Sequence, residues 1–195
     1  ILGCTFRNLG AQGIAMGMGI APHDRHVHNE MGKPQKNLIG SLQQHIYDDT
    51  TFDRRAGFNN GIIDCEFYNL GSGGISMGGG NRFTLEPGNN YIENCRIHDN
   101  NRLEKSYQPA IHITGVGNNI INCEIWNTPS MAVLMHGNNH LIESNHFHDV
   151  CLEADDQGAI YYGRNPSECG SLVRYNLFEN IPGHYSTCGI YHDDG

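Results

Sequence analysis

Asn90-Tyr-Ile-Glu-Asn-Cys95-Arg-Ile-His-Asp99 is one of five versions of a single pattern. Asn60-Gly-Ile-Ile-Asp-Cys65-Glu-Phe-Tyr-Asn69 precedes it, and Asn119-Ile-Ile-Asn-Cys123-Glu-Ile-Trp-Asn127 follows. His140-Leu-Ile-Glu-Ser-Asn145-His-Phe-His-Asp149 and Ser171-Leu-Val-Arg-Tyr-Asn176-Leu-Phe-Glu-Asn180 complete the set. A shorter copy opens the chain at Gly3-Cys4-Thr-Phe-Arg-Asn8. The anchors at 65, 95, 123, 145 and 176 are 30, 28, 22 and 31 residues apart, a period that marks a repeat architecture. The repeats are punctuated by Gly and Asn and lack a helical period, so they predict stacked coils of strands. The fold class expected is all-β: a right-handed parallel β-helix of about six coils.

Alternation gives each coil an inside and an outside. Two residues after each anchor stand Phe6, Phe67, Ile97, Ile125, Phe147 and Phe178. Four residues after it stand Asn8, Asn69, Asp99, Asn127, Asp149 and Asn180, residue types that tolerate tight turns and bond turn amides. This set is expected to form an inward polar ladder bonded to turn backbone. The anchors themselves, Cys4, Cys65, Cys95, Cys123, Asn145 and Asn176, suggest a second ladder of small residues. Ile14, Ile75, Ile111, Val133, Ile160 and Ile190 begin a second strand set. Six coils at the inter-strand spacing of ~4.8 Å make a rod about 29 Å long.

The chain has 195 residues, enough for one continuous core. Its net charge of −9 speaks against nucleic acid or an anionic membrane as partner. No apolar run approaches the ~20 residues of a membrane span. The chain starts inside a repeat and stops just after a strand, and a solenoid needs caps. The reading is therefore a segment whose partner includes the remainder of a longer chain. Of the seven cysteines, four fall on the anchor register and read as buried small side chains. Cys169 and Cys188 lie near loops, where a bridge between them is conceivable. No Cys-x-x-Cys pair appears, so no zinc site is expected.

The repeat breaks at residues 20–58, which hold Pro22, Pro34, His23, His26, His28, Asp48 and Asp49. This reads as an excursion forming a lid or a groove rim. Its three histidines lack a regular element to aim them at a metal, so a solvated loop is the expectation. A shorter excursion runs from Asn100 to Gln108.

If the Ile/Val row of the second strand set points inward, Ser76, His112, Leu134, Tyr161 and Tyr191 point outward. One end of that row carries Thr114, His136, Arg164, Asp193 and Asp194; the other carries Glu153, Asp155 and Asp156. Early coils offer Gly and Ser here, and late coils offer acids, Tyr, His and Arg. Such a change at fixed register is what a site grafted on a scaffold looks like. Tyr161 and Tyr191 on adjacent coils suggest an aromatic platform for sugar rings, with His112, His136 and Arg164 as further substrate contacts.

Asn90-x-x-Glu-Asn-Cys-x-Ile-His-Asp99, Tyr107-x-Pro-Ala-Ile111 and Gly137-Asn-x-His-Leu-Ile-Glu143 add a resemblance, as do Asp156-Gln-Gly-Ala-Ile-Tyr-x-Gly-Arg164, Val173-Arg-Tyr-Asn176 and Gly189-Ile-Tyr-His-Asp-Asp-Gly195. Together they resemble a large bacterial family of right-handed parallel β-helix proteins, pectate-lyase-like in fold and linked to carbohydrate-active enzymes. The resemblance covers roughly the last 115 residues. It implies a secreted or periplasmic protein acting on a polysaccharide or oligosaccharide. It also implies a catalytic pair of late-coil aspartates, Asp156 with Asp193 or Asp194. His192 stands where relatives more often carry an apolar residue.

Asp156 and Asp193 sit at opposite ends of their strands, about 23 Å apart if the seven intervening steps are fully extended. Paired glycosidase carboxyls need ~5 Å or about 6.5–9.5 Å, so turns must curl over the groove. The leading expectation is a glycoside hydrolase without cofactor. One alternative is a lyase with Glu153, Asp155 and Asp156 holding Ca²⁺. The other is a carbohydrate-binding β-helix without catalysis.

Overall fold

The computed structural model describes residues 1–16, 57–183 and 185–194. The excursion expected at 20–58, with His23, His26 and His28, lies outside the described residues except for its last two positions. Every regular element among the described residues is a strand. Three parallel sheets wrap the core. Sheet I contains β3 (Gly61–Ile63), β8 (Tyr91–Glu93), β11 (Asn119–Ile121), β14 (Leu141–Glu143) and β17 (Leu172–Arg174). Sheet II contains β1 (Thr5–Arg7), β4 (Glu66–Tyr68), β9 (Arg96–His98), β12 (Glu124–Trp126), β15 (His146–His148) and β18 (Leu177–Glu179). Sheet III contains β2 (Ile14–Met16), β5 (Ile75–Met77), β10 (Ile111–Ile113), β13 (Val133–Met135), β16 (Gly158–Gly163) and β19 (Cys188–Asp193). The one antiparallel pair among the described residues is a small hairpin, β6 (Gly80–Asn81) with β7 (Glu86–Pro87). Each coil from β3 onward contributes one strand to each sheet in turn, and the opening coil contributes β1 and β2 to sheets II and III, so the chain is a parallel β-helix.

Both expected inward rows pair in register. Phe6, Phe67, Ile97, Ile125, Phe147 and Phe178 stack across sheet II, and Ile14, Ile75, Ile111, Val133, Ile160 and Ile190 across sheet III. Ile62, Ile92, Ile120, Ile142 and Val173 form a third inward row on sheet I. Sequence reading missed this sheet, because the corner before each anchor interrupts the alternation. A single residue makes that corner in the left-handed region: Asp64 (φ 52°), Asn94 (54°), Asn122 (51°), Ser144 (57°) or Tyr175 (57°). After glycine, Asn and Asp reach this region at the least cost, and Ser144 and Tyr175 depart from that preference. The inward rows are buried in the middle coils, where each such side chain contributes roughly 1.5–3 kcal/mol.

The anchor ladder exists and its bonds run between coils. The Cys95 N–H donates to Cys123 Sγ at 3.4 Å, Cys123 N–H to Asn145 Oδ1 at 2.8 Å, and Asn145 N–H to Asn176 Oδ1 at 2.8 Å. Cysteine sulfur and asparagine oxygen thus play one role. The Asn8–Asn180 set does not turn inward. Its members make the corner from sheet II to sheet III at φ 48–59°, and they bond each other at the surface: Asn69 to Asn8 and Asn127 to Asp99. The inward polar ladder stands elsewhere, one residue before sheet I. There Asn60 N–H bonds Asn90 Oδ1 (2.9 Å), Asn90 N–H bonds Asn118 Oδ1 (3.0 Å), Asn118 N–H bonds His140 Nδ1 (3.1 Å), and His140 N–H bonds Ser171 Oγ (3.1 Å).

All seven cysteines are free thiols. The Cys169–Cys188 bridge does not form: Cys188 begins β19 with its Sγ on Ile190 O, whereas Cys169 lies in the loop leading to sheet I.

Candidate functional site

Sheet III presents Ser76, His112, Leu134, Tyr161 and Tyr191 side by side on its outer face, as register requires. Their environments differ sharply. Tyr161 is 1% exposed, packed with Met131 and Leu134 and met edge-on by Tyr107 at 6.1 Å. It is therefore a covered residue rather than an open platform. Tyr191 stacks on it with centroids 5.4 Å apart and is only half-buried, so it carries what aromatic surface the face offers. Tyr162, on the opposite side of the same strand, stacks on His192 at 4.5 Å, so the histidine is accommodated as a flat ring.

Two acids flank the tyrosine pair. Asp193, 7% exposed, accepts a hydrogen bond on Oδ2 from the Tyr161 hydroxyl and one from Arg164 Nε at 2.6 Å. Burial pushes its pKa up, but these two bonds and the Arg164 charge outweigh burial, so the carboxyl is held below its ordinary value. Arg164 also reaches the exposed Asp194, 3.4 Å from Nη2 to Oδ2. Asp156 is exposed, takes a left-handed φ of 57°, and accepts a bond from the Tyr191 hydroxyl at 2.9 Å. That bond, with burial and the charges of Asp156 and Asp193, pushes the Tyr191 phenol up to about 12. The structure thus joins the sequence-derived residues as a chain, Asp156–Tyr191–Tyr161–Asp193–Arg164. The acids are linked through stacked rings, not set face to face.

His112 and His136 form a second group on the same face, their rings edge to face at 5.8 Å. His136 is buried with Nδ1 3.1 Å from Glu168 Oε2. Arg82 lies 3.7 Å from the other Glu168 oxygen and bonds Asn138 and Ser167 at 2.8 Å each. Arg82 and Glu168 escaped sequence reading, and Tyr107 entered it only as part of a motif without a site role, because they come from irregular segments outside the repeat. Arg82 belongs to the hairpin, and Glu168 to the loop after β16. The signal available was that charged residues occur there at all.

Glu153, Asp155 and Asp156 are not brought together. Glu153 pairs with Lys105 at 2.7 Å, Asp155 accepts from the Tyr185 N–H at 3.0 Å, and Asp156 faces Tyr191. Along sheet III, Gln12, Ser76, Glu104, Gln108 and His112 line a polar hollow of about 250 Å³, with the 100–108 excursion as one wall. A larger hollow of about 530 Å³ lies at the corner from sheet II to sheet III, between Tyr68 and Glu153. It shares no residue with the acid–tyrosine chain, so its size alone does not make it the reactive site.

Residues 54–195 match the family model for a right-handed β-helix region. The match spans well over half of the chain, so the chain belongs to the right-handed β-helix family. No curated protein and no solved structure matches it. The family is consistent with carbohydrate-active or polysaccharide-binding proteins.

Proposed function

We propose that this right-handed β-helix binds a polysaccharide across the outer face of sheet III and hydrolyses it beside the stacked tyrosines. The observation that supports this reading is the state of Asp193: a nearly buried carboxylate kept ionised by Tyr161 and Arg164. A fixed negative charge of this kind stabilises positive charge developing on a sugar ring, or takes a proton from attacking water. Asp156 is accessible, and in its protonated form it supplies the proton to the leaving oxygen. Tyr191 offers its ring to the sugar and its hydroxyl to Asp156. Because the carboxyls do not meet, attack by a water molecule accounts for the arrangement better than a covalent pair, which needs ~5 Å between carboxyls. The net charge of −9 favours a neutral glycan over a polyanion.

In the intact protein, Asp156→Asn should leave the melting temperature unchanged and lower turnover of a neutral glycan by about 100-fold or more. Asp193→Asn should lower it comparably. Products should be saturated reducing sugars, and EDTA should not affect the rate. Unsaturated products absorbing in the near ultraviolet would replace hydrolysis with β-elimination. Glycan binding with no turnover of any substrate would leave a binding module.

A further inference from the structure

On the outer face of sheet II, away from the acid–tyrosine chain, three side chains converge. Parallel register places His146 of β15 directly beside Glu124 of β12, and alternation sends His148 out on the same side. One donor atom from each of the three lies within 4.8 Å of the others. Glu124 Oε1 is 3.4 Å from His148 Nε2 and 3.8 Å from His146 Nδ1. The remaining nitrogen of each imidazole is held by a carboxylate. His148 Nδ1 meets Asp149 Oδ2 at 2.8 Å, and His146 Nε2 meets Glu179 Oε2 at 2.8 Å. Trp126 stacks on His148, with centroids 5.7 Å apart and ring planes 5° apart.

We propose that Glu124, His146 and His148 form a Zn²⁺-type metal site that ties neighbouring coils together. Imidazole and carboxylate ligands suit zinc and its transition-metal neighbours and disfavour Ca²⁺ and Mg²⁺. Metal–ligand distances of ~2.0–2.1 Å put tetrahedral ligand atoms about 3.3 Å apart, close to the spacings around Glu124 Oε1. Orientation of each metal-facing imidazole by a second carboxylate is the outer shell that such sites carry. The same frame recurs two coils earlier without the second imidazole. His98 Nδ1 meets Asp99 at 2.7 Å and His98 Nε2 lies 3.7 Å from Glu66, but Arg96 occupies the place of His146. Ion pairing alone is thus satisfied by Arg, and the two-histidine version adds metal-binding capacity. The missing Cys-x-x-Cys motif is no obstacle, because the ligands come from different coils.

Titration of the intact protein with Zn²⁺ in a calorimeter should give one saturable site and a raised melting temperature, reversed by EDTA. His146→Arg copies the Arg96 arrangement. It should melt like the parent without metal and bind Zn²⁺ about tenfold more weakly or not at all. Asp149→Asn, which keeps a corner residue of the kind found at 127 and 180, should weaken binding by about 10–100-fold. Replacing His23, His26 and His28 together should leave binding intact. Co²⁺ in place of Zn²⁺ should give visible d–d bands without a near-ultraviolet thiolate band. Undiminished binding in His146→Arg, a thiolate band, or loss of binding only in the triple variant would each overturn the proposal, as would the absence of a saturable site.

Discussion

Asn127 shows how one residue can hold two roles that experiment can separate. Its side chain lies at the surface on Asp99, while its backbone sits at φ 50° and turns the chain from sheet II to sheet III. The backbone role dominates, because a surface hydrogen bond competes with water whereas a left-handed φ strains most side chains by roughly 1–2 kcal/mol. Asn127→Leu should therefore lose about 1 kcal/mol in a urea melt, and Asn127→Gly should stay close to the parent. Equal losses in both variants would assign the effect to the side-chain bond instead. Asp156 and Asp193 make the same point for chemistry. They are one residue type, yet one is exposed and the other is clamped by Tyr161 and Arg164.

Among elements, the corner before sheet II owes its stability to the anchor ladder. Asn145 accepts from Cys123 N–H and donates to Ile120 O at 3.0 Å, both in buried surroundings. Asn145→Ala strands both groups and should cost about 1–3 kcal/mol by chemical denaturation. Cys123→Asn, which installs at one coil the side chain that two later coils already carry, should cost markedly less. A reversed order would mean that the ladder is held by thiol packing rather than by accepted amides. The turn after sheet III is stricter. Gly137 has a φ of 99°, and a Cβ there would come within 2.1 Å of the Gly115 carbonyl oxygen, so no side chain fits between those coils.

At the scale of the whole molecule, strands pair only with those of adjacent coils, although side chains such as Arg82, Lys105 and Tyr107 reach further, so local stability should follow the stack. Ile120 and Ile142 are fully buried in sheet I, while Val173 is only half-buried. Hydrogen exchange on this chain should therefore be slowest in β11 and β14 and faster in β17 and β18. Uniform protection from β1 to β18 would mean that the rod opens as one unit. The same one-dimensional logic gives the outer faces their freedom. The inward rows fix the scaffold, and the outward rows vary from coil to coil to form the acid–tyrosine chain on sheet III and the imidazole cluster on sheet II.

The repeat itself was legible, because inward side chains stacked once per coil force the same residue class to recur at a fixed register. Phe67, Ile97, Ile125 and Phe147, and likewise Ile75, Ile111 and Val133, could be aligned from sequence and pair accordingly. The outward order Ser76, His112, Leu134, Tyr161, Tyr191 followed from the same alternation. Sheet I was not legible, because a left-handed corner residue shifts the alternation by one. Nor was the direction of the Asn8–Asn180 set, since asparagine suits an outward corner as well as a buried ladder. Only the tertiary structure decided that Tyr161 is covered, that Asp193 is clamped, that Arg82 and Glu168 back His136, and that Glu124 meets His146 and His148. Side-chain meetings across coils depend on rotamers and on loops outside the period, and a linear pattern records neither.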